Sequence, residues 1–524
     1  SSNGEDENGE VVKRIREYKK MVWSNTLSYL TTFNNIHHLD FLAGYEIDDT
    51  YNDYLSGEAY NFTTPDKHAI SNGMKTVSVG GSDSRYRLVS YLSRLNYDYK
   101  NKYYLGASFR VDGSSRLHRD NRWGTFWSVS GAWRTIEEEF MQPVKDWLTD
   151  LRIRASYGVN GTLPSDYFGY MGLSSISGGY LEQPGIQMSQ IANPNLKWET
   201  NYNMNIGLDF GFWDRLNFTI EYYTRTTKNL LMDCPVSMTT GFSSYLMNIG
   251  EVKNKGIELT INSTNIKIKD FSWNTTFNLG HNSNKVVKLD GEQTQIVSGT
   301  QIHKVGSSYR TFYVQEFAGI NPETGNPLFY TNELDENGNY IKEITENSKN
   351  AQFIPYKHAE PTVNGGISNS LRYKWLDLNF LFSYQFGGYS YDTWAQKTEH
   401  GGYDSYANIP TYYLDSWKKP GDQTNIEVYM PGKSSSVSMH KITSSRRIHS
   451  TDYFRLKNIT FGITLPKEWT NKINIGNVRI YASASNLWTW AAYNNYDPEA
   501  VSAGSATQTT PPLKTVTFGL NINF

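Results

Sequence analysis

Along much of this chain apolar and polar residues alternate one for one, the repeat of a strand with one greasy face and not of a helix. Tyr202, Met204, Ile206, Leu208 and Phe210 interleave with Asn203, Asn205, Gly207 and Asp209. The period recurs in 216–222, 257–261, 271–279 and 376–382, and is cleanest in 516–524, where the chain closes on Phe524. About fifteen such segments are predicted, most of roughly 9 to 14 residues, near the length of a tilted strand that crosses a bilayer. Strands of soluble sandwiches are shorter, about 5 to 6 residues.

The predicted connections alternate in length. Short ones lie at 34–37, 100–101, 213–214, 264–270, 373–375 and 466–476, and long ones at 49–84, 161–198, 291–361, 388–451 and 489–513. One edge is trimmed and the other elaborated, as in bacterial outer-membrane barrels with short periplasmic turns and long outer loops. Trp147, Trp213, Trp375 and Trp469 sit at or beside the short connections, where an interfacial aromatic girdle belongs; the alternative is that each plugs a turn of a soluble protein. Arg152, Arg154, Glu221 and Arg225 carry charge in mid-strand. A dry core accepts this only at high cost, so a large barrel with a wet or plugged lumen is expected.

Composition narrows the choice further. Aromatic residues make up 15% of the 524 residues, and with abundant Asn, Thr, Ser and Gly they favour strands and turns. No run approaches the ~20 apolar residues of a membrane helix. The net charge of −2, with only short basic clusters such as 13–20, lacks the footprint of a nucleic-acid binder. The single Cys234 excludes an intramolecular disulfide and any cysteine metal cage. The opening SSNGEDENGE has neither the basic nor the apolar region of a signal peptide, so the natural start is expected upstream. An odd strand count agrees, because single-chain bacterial barrels have an even number.

Several stretches resemble the SusC/RagA family of TonB-dependent outer-membrane transporters of Bacteroidetes. The densest block is 95–161, with NYDYKNKYYLGASFRVDGSSR, NRWGTFWSVSGAWR and LTDLRIRASYGVNG. NPNLKWE (193–199), NIGEVKNKGIEL (248–259), INPETGNPLFY (320–330), DYFRLKNITFGITLP (452–466), YASASNLWTW (481–490), YDPE (496–499) and the closing FGLNINF follow in family order. Trp127 departs from the pattern, since the family often has Pro after the GTF turn. The resemblance implies an all-β fold, a large antiparallel transmembrane β-barrel of about 22 strands, of which residues 1–524 form the C-terminal part. The signal, extra domain, plug, TonB box and first strands would then lie outside this chain. It also implies a SusD-like surface lipoprotein as lid, TonB as the energy-coupling partner, contact with outer-membrane lipid, and a dimer of transporter–lid pairs.

Candidate chemistry is sparse. DGSSR (112–116) and NRWG (121–124) read as turns more readily than as ligand loops. LDENGN (334–339) has the flavour of a calcium loop without its full ligand set, and His37 and His38 lack a second zinc pair. Glu137, Glu138 and Glu139 form a solvated cluster, and KSSSVS (433–438) lacks a nucleophile-elbow pattern. No catalytic residue, metal or cofactor is predicted. The exception is an aromatic-rich long loop holding Tyr389, Tyr391, Trp394, Tyr403, Tyr406, Tyr412, Tyr413 and Trp417. Such rings can stack on sugars or seat a lid, or pack on one another to order the loop. The expected function is TonB-dependent import of a bulky oligosaccharide, with oligopeptide import or a passive porin or adhesin barrel as alternatives. An outer-membrane hydrolase would need an acid or nucleophile constellation that the sequence does not display.

Overall fold

The computed structural model describes residues 9–523 except 65, 67, 181–182, 290–293, 403–407, 432–438, 440–441, 471, 473–474 and 508. Fifteen strands form one sheet in which each neighbours the next along the chain. They are β1 (Glu10–Phe33), β2 (His37–Phe62), β3 (Gly73–Tyr99), β4 (Tyr103–Ser114), β5 (Trp123–Trp133), β6 (Leu148–Thr162), β7 (Glu199–Phe212) and β8 (Leu216–Pro235). β9 (Ser244–Lys267), β10 (Phe271–Leu289), β11 (Val363–Tyr373), β12 (Leu376–Phe386), β13 (Tyr453–Thr464), β14 (Asn477–Ala491) and β15 (Thr515–Asn523) complete the sheet. This up-and-down antiparallel meander matches the expected strand count.

Turn chemistry fixes the short connections. Lys100 with Asn101 and Trp213 with Asp214 all have φ between 50° and 55°, the paired left-handed conformation of a tight hairpin that follows strand twist. Asn34 and Asn35 adopt the same region, where Asn is tolerated best among side-chain-bearing residues.

One expectation is corrected. The sequence predicts a long loop over 49–84, yet β2 and β3 pair all the way to Phe62 and Gly73, so the loop spans only 63–72. β1 to β3 run for 24, 26 and 27 residues, well beyond the expected length. The reason is local: past Asp48 polar and apolar residues mix on both faces of β2, with Asp49, Asp53 and Leu55 on one and Tyr54, Ser56 and Glu58 on the other. The alternation fades there, but backbone pairing does not require a greasy face.

The described chain divides into two compact units, Ser1–Trp133 with Ser156–Asn203 and Thr227–Gly250, and Arg134–Ala155 with Met204–Thr226 and Glu251–Phe524. In the first, partners directly opposite in the ladder share a face. One face of β1 to β5 carries the rung Tyr29, Phe41, Leu95, Ala107, Val129; the other carries Leu30, Asp40, Asn96, Gly106, Ser130, polar or small from β2 onward. Two aromatic rows bracket the apolar face. His37, Tyr99, Tyr103 and Trp133 stack in series beside the short turns, with centroids 4.9 to 6.4 Å apart. Trp23, Tyr45, Tyr91 and Trp123 form the second row at 5.1 to 6.4 Å. Tyr91 and Tyr99 are eight residues apart on β3, about 27 Å along a strand and about 20 Å once tilted by ~40°, close to the ~25 Å apolar band of an outer-membrane barrel.

The family-like motifs of this unit build its core. Leu117, Phe126, Val159, Leu196 and Trp198 are buried together, and the Trp198 Nε1–H donates to the Arg122 carbonyl at 2.9 Å. Arg116 of DGSSR lies over the rings of Tyr86 at 4.0 Å and Tyr167 at 4.4 Å. These motifs are structural: they tie outer turns to neighbouring strands.

In the second unit the mid-strand charges are paired. Asp209 accepts from Arg152 at 2.9 Å, Arg154 at 3.1 Å and the Thr219 hydroxyl at 2.8 Å, and Arg154 also pairs with Glu221. On β15, Val516, Phe518 and Leu520 are 58 to 81% exposed, so among the described residues no second sheet covers this greasy face. Trp147, Trp213, Trp375 and Trp469 are likewise exposed at their short connections. Asp335 of LDENGN accepts from the backbone N–H of Asn337 at 2.9 Å and of Asn339 at 2.8 Å, closing the hairpin between 333–334 and 340–341. KSSSVS lies outside the described residues.

Candidate ligand cleft

The site is built where the chain leaves β12. Gly387 takes φ 83°, a value that disfavours a side chain, and turns the chain into strand Tyr389–Asp392. That strand pairs antiparallel with Ile448–Ser450 and parallel with Ser505–Ala506, so two long connections meet in one small sheet. Beneath it Phe312, Val314, Tyr391 and Ile448 form a buried cluster.

Asp392 ends the strand and caps the short helix Thr393–Thr398, accepting from the Ala395 N–H at 2.7 Å and from the Tyr493 hydroxyl at 3.0 Å. Trp394, the second residue of that helix, stays 40% exposed. Trp394 stands between two clefts. One, of about 470 Å³, is lined by Trp394, Asn486, Asn494, Asn495, Thr507 and Thr509 among others. The second, of about 330 Å³, shares Asp392, Trp394 and Asn495 and adds Asn408 and Tyr412.

Most of the charge lining the larger cleft is already engaged. Arg455 pairs with Asp497 at 2.5 Å and with Glu499, and Asp392 is satisfied as above; the exposed Lys514 also lines it. What faces a ligand is an indole with amides and hydroxyls, beside the single exposed ammonium of Lys514, the pattern of an apolar face with a few polar groups that orient a bound molecule.

Burial governs titration around the small sheet. It pushes the Tyr391 hydroxyl up to about 12 and the Tyr496 hydroxyl, which bonds Ser390, also to about 12. Arg447, paired with Glu399, is lowered to about 10 by desolvation. His449 stacks flat on Tyr493 with centroids 3.7 Å apart, and burial lowers it to about 4, with Arg447 and Arg446 adding to the shift against the opposing Asp392.

A base held neutral stabilises the fold fully above its ordinary pKa of ~6.5, and the contribution is lost as pH falls through the folded value. Hydrogen exchange at 389–392 and 448–450, corrected for intrinsic rates, is therefore expected to accelerate between pH 6.5 and 4. His449→Phe, which keeps the stack and cannot charge, should flatten that dependence. An unchanged profile in the variant would show that another group is responsible.

The sequence candidates separate cleanly. Trp394 and Tyr412 line the clefts; Tyr412 bonds Glu399. Tyr391 and Tyr413 are buried and offer no surface, and Tyr389 is half-buried under Lys357 at 5.2 Å. Trp417 donates to the Pro322 carbonyl at 2.7 Å and closes over Gly325, so it pins the INPETGNPLFY turn. Tyr403 and Tyr406 lie outside the described residues. Sequence reasoning missed Asn486, Asn494 and Asn495; the left-handed Asn486, φ 55°, sits at the bulge opposite Leu456–Asn458, and the Asn pair directly precedes YDPE.

Comparison with known proteins accounts for the architecture. A family model described as TonB dependent receptor-like, beta-barrel matches residues 3–342. TonB-dependent receptor P3 of Formosa agariphila is 32% identical over 98% of this chain and 53% of its own length. TonB-dependent receptor SusC of Bacteroides thetaiotaomicron is 30% identical over 90% and 47% respectively. A solved structure of the RagAB peptide transporter superposes with TM-score 0.86 at 27% identity, covering 98% of this chain and 56% of that one. The chain spans about half the length of the curated relatives it matches. With two aromatic rows, an outward greasy face and these relatives, the chain belongs to the TonB-dependent receptor-like β-barrel family of the bacterial outer membrane.

Proposed function

We propose that this chain supplies the C-terminal barrel wall of a plugged importer that moves a neutral oligosaccharide across the outer membrane, driven by TonB and capped by a SusD-like lipoprotein. The observation that carries the reading is the cleft around Trp394, lined by an aromatic face, amides and hydroxyls with Lys514 as its one exposed cation. Sugar rings offer axial C–H groups to the indole and hydroxyls to the amides, and need no counter-charge. A plug blocks diffusion, so the work of opening has to come from the inner membrane. A second reading, oligopeptide import, is favoured by the likeness to the RagAB peptide transporter.

The test is uptake by cells carrying the full-length gene, its deletion, or Trp394→Ala. Deletion should abolish growth on neutral oligosaccharides and spare growth on oligopeptides, and loss of TonB should copy it. Trp394→Ala should raise the half-saturating sugar concentration by roughly 5- to 10-fold, as expected for one aromatic contact of ~1 kcal/mol. Growth lost on peptides alone would establish the second reading, and uptake that survives without TonB would identify a passive pore.

A further inference from the structure

Three of the four rings of the outer aromatic row of the first unit are followed by cations at a constant interval, and the fourth, Tyr45, by Asp49. Four residues outward from Trp23, Tyr91 and Trp123 stand Lys19, Arg87 and Arg119. Ladder register places the first two on the greasy face: Met21, Asp49 and Arg87 form one rung across β1 to β3, and Lys19, Tyr51 and Arg85 the next. Asp49 is nearly buried and gathers both arginines, Arg85 at 2.5 Å and Arg87 at 2.6 Å, while each guanidinium stays more than half exposed. Two guanidinium groups on one carboxylate leave a net positive charge and several unspent N–H donors. Lys19 adds a third cation, partly offset by Glu17 at 3.0 Å. The backbone here is held rigid, since the Arg87 N–H donates to the Ser115 hydroxyl at 2.9 Å and the Ser115 N–H returns to the Arg87 carbonyl at 3.0 Å. One rung further out the same face turns acidic, with Glu17, Asp53 and Asp83 side by side, which sets an upper limit to any anion site.

We propose that Arg85, Arg87 and Lys19 hold the phosphate groups of an anionic outer-leaflet lipid, seated on the aromatic row just below. The rings mark the level where hydrocarbon gives way to headgroups. At ~3.4 Å per residue and a tilt of ~40°, four residues carry the cations about 10 Å further, to the depth of headgroup phosphates. Guanidinium forks bind phosphate bidentately, and Asp49 keeps them aimed outward. This inference concerns the lipid-facing wall and stands whether or not the import reading does.

The test uses the purified full-length transporter in detergent, with bis-phosphorylated lipid A, dephosphorylated lipid A and inorganic phosphate as probes in native mass spectrometry. Wild type should retain the phosphorylated lipid in preference to the dephosphorylated one. The double variant Arg85→Gln/Arg87→Gln should lower that preference by about 30-fold, the effect of two basic residues at an anionic surface. Arg85→Lys/Arg87→Lys keeps both charges and should preserve most of it. Equal retention of both lipids by wild type, a preference undiminished in the Gln variant, or its loss in the Lys variant as well would overturn the proposal. Displacement of the lipid by millimolar inorganic phosphate would assign the site to the free anion instead and overturn it equally.

Discussion

Arg455→Ala is expected to release residues 492–513 from the end of β13 while leaving the strand ladder in place. Arg455 is 2% exposed and reaches Asp497 at 2.5 Å, Glu499, and the Thr489 hydroxyl at 3.0 Å. Glu499 also receives Lys457 at 2.7 Å and the Tyr453 hydroxyl at 3.0 Å. Truncating one partner of a buried ion network leaves Asp497 without its guanidinium and Glu499 with Lys457 alone, a cost of about 3–5 kcal/mol. That exceeds what the remaining contacts of this long connection can absorb, so the segment should open locally. Hydrogen exchange in 493–506 should rise by two orders of magnitude or more, about what 3 kcal/mol allows, with β13 and β14 still protected. Arg455→Lys restores charge without the planar fork and should recover the protection only partly. Exchange in 493–506 that stays at the wild-type rate would mean that the network contributes nothing. Because Asn494, Asn495 and Tyr496 hang on this segment, its opening should also dismantle the cleft around Trp394.

The same residues mark the limit of what sequence reasoning reached. The strands were readable because every lipid-facing rung repeats a demand for an apolar side chain, and Val516, Phe518, Leu520 and Ile522 answer it with period two. The short turns were readable because Lys100–Asn101 and Trp213–Asp214 leave no room for anything but a tight reversal. Beyond the membrane that demand lapses. The outer halves of β2 and β3 therefore looked like loop, although backbone pairing continues to Phe62. In the aromatic loop, eight rings of similar composition gave no way to tell surface from core. Only tertiary structure distinguishes Trp394, which stands in a cleft, from Tyr391 and Tyr413, which are buried, and from Trp417, which pins a turn. Charge pairing was equally hidden, since Arg455 and its carboxylates at 497 and 499 are about forty residues apart.

Trp198→Ala is the second large effect, and it bears on why family-like motifs lie on the turns. The indole is 8% exposed. It meets Phe126 edge-on at 5.2 Å, packs with Leu117, Val159 and Leu196, and spends its N–H on the Arg122 carbonyl. Glycines make room for it: a Cβ at Gly161 would lie 2.9 Å from the indole, and one at Gly124 3.1 Å. Removing a buried Trp forfeits transfer energy and leaves a cavity, about 3–5 kcal/mol together. Phe126 cannot refill it without abandoning the same glycine shelf. The expected outcome is loss of protection at 117–126 and 193–198 and faster proteolysis there, with the apolar rungs of β1 to β5 unaffected. Trp198→Phe keeps most of the area and loses the hydrogen bond, so it should cost only about 1–2 kcal/mol. Trp213→Ala, an equally large change at an exposed turn, should leave these segments untouched. If Trp198→Ala protects them as well as wild type does, NPNLKWE and NRWG are not a shared core, and their recurrence would have to be explained by ligand or partner contact instead.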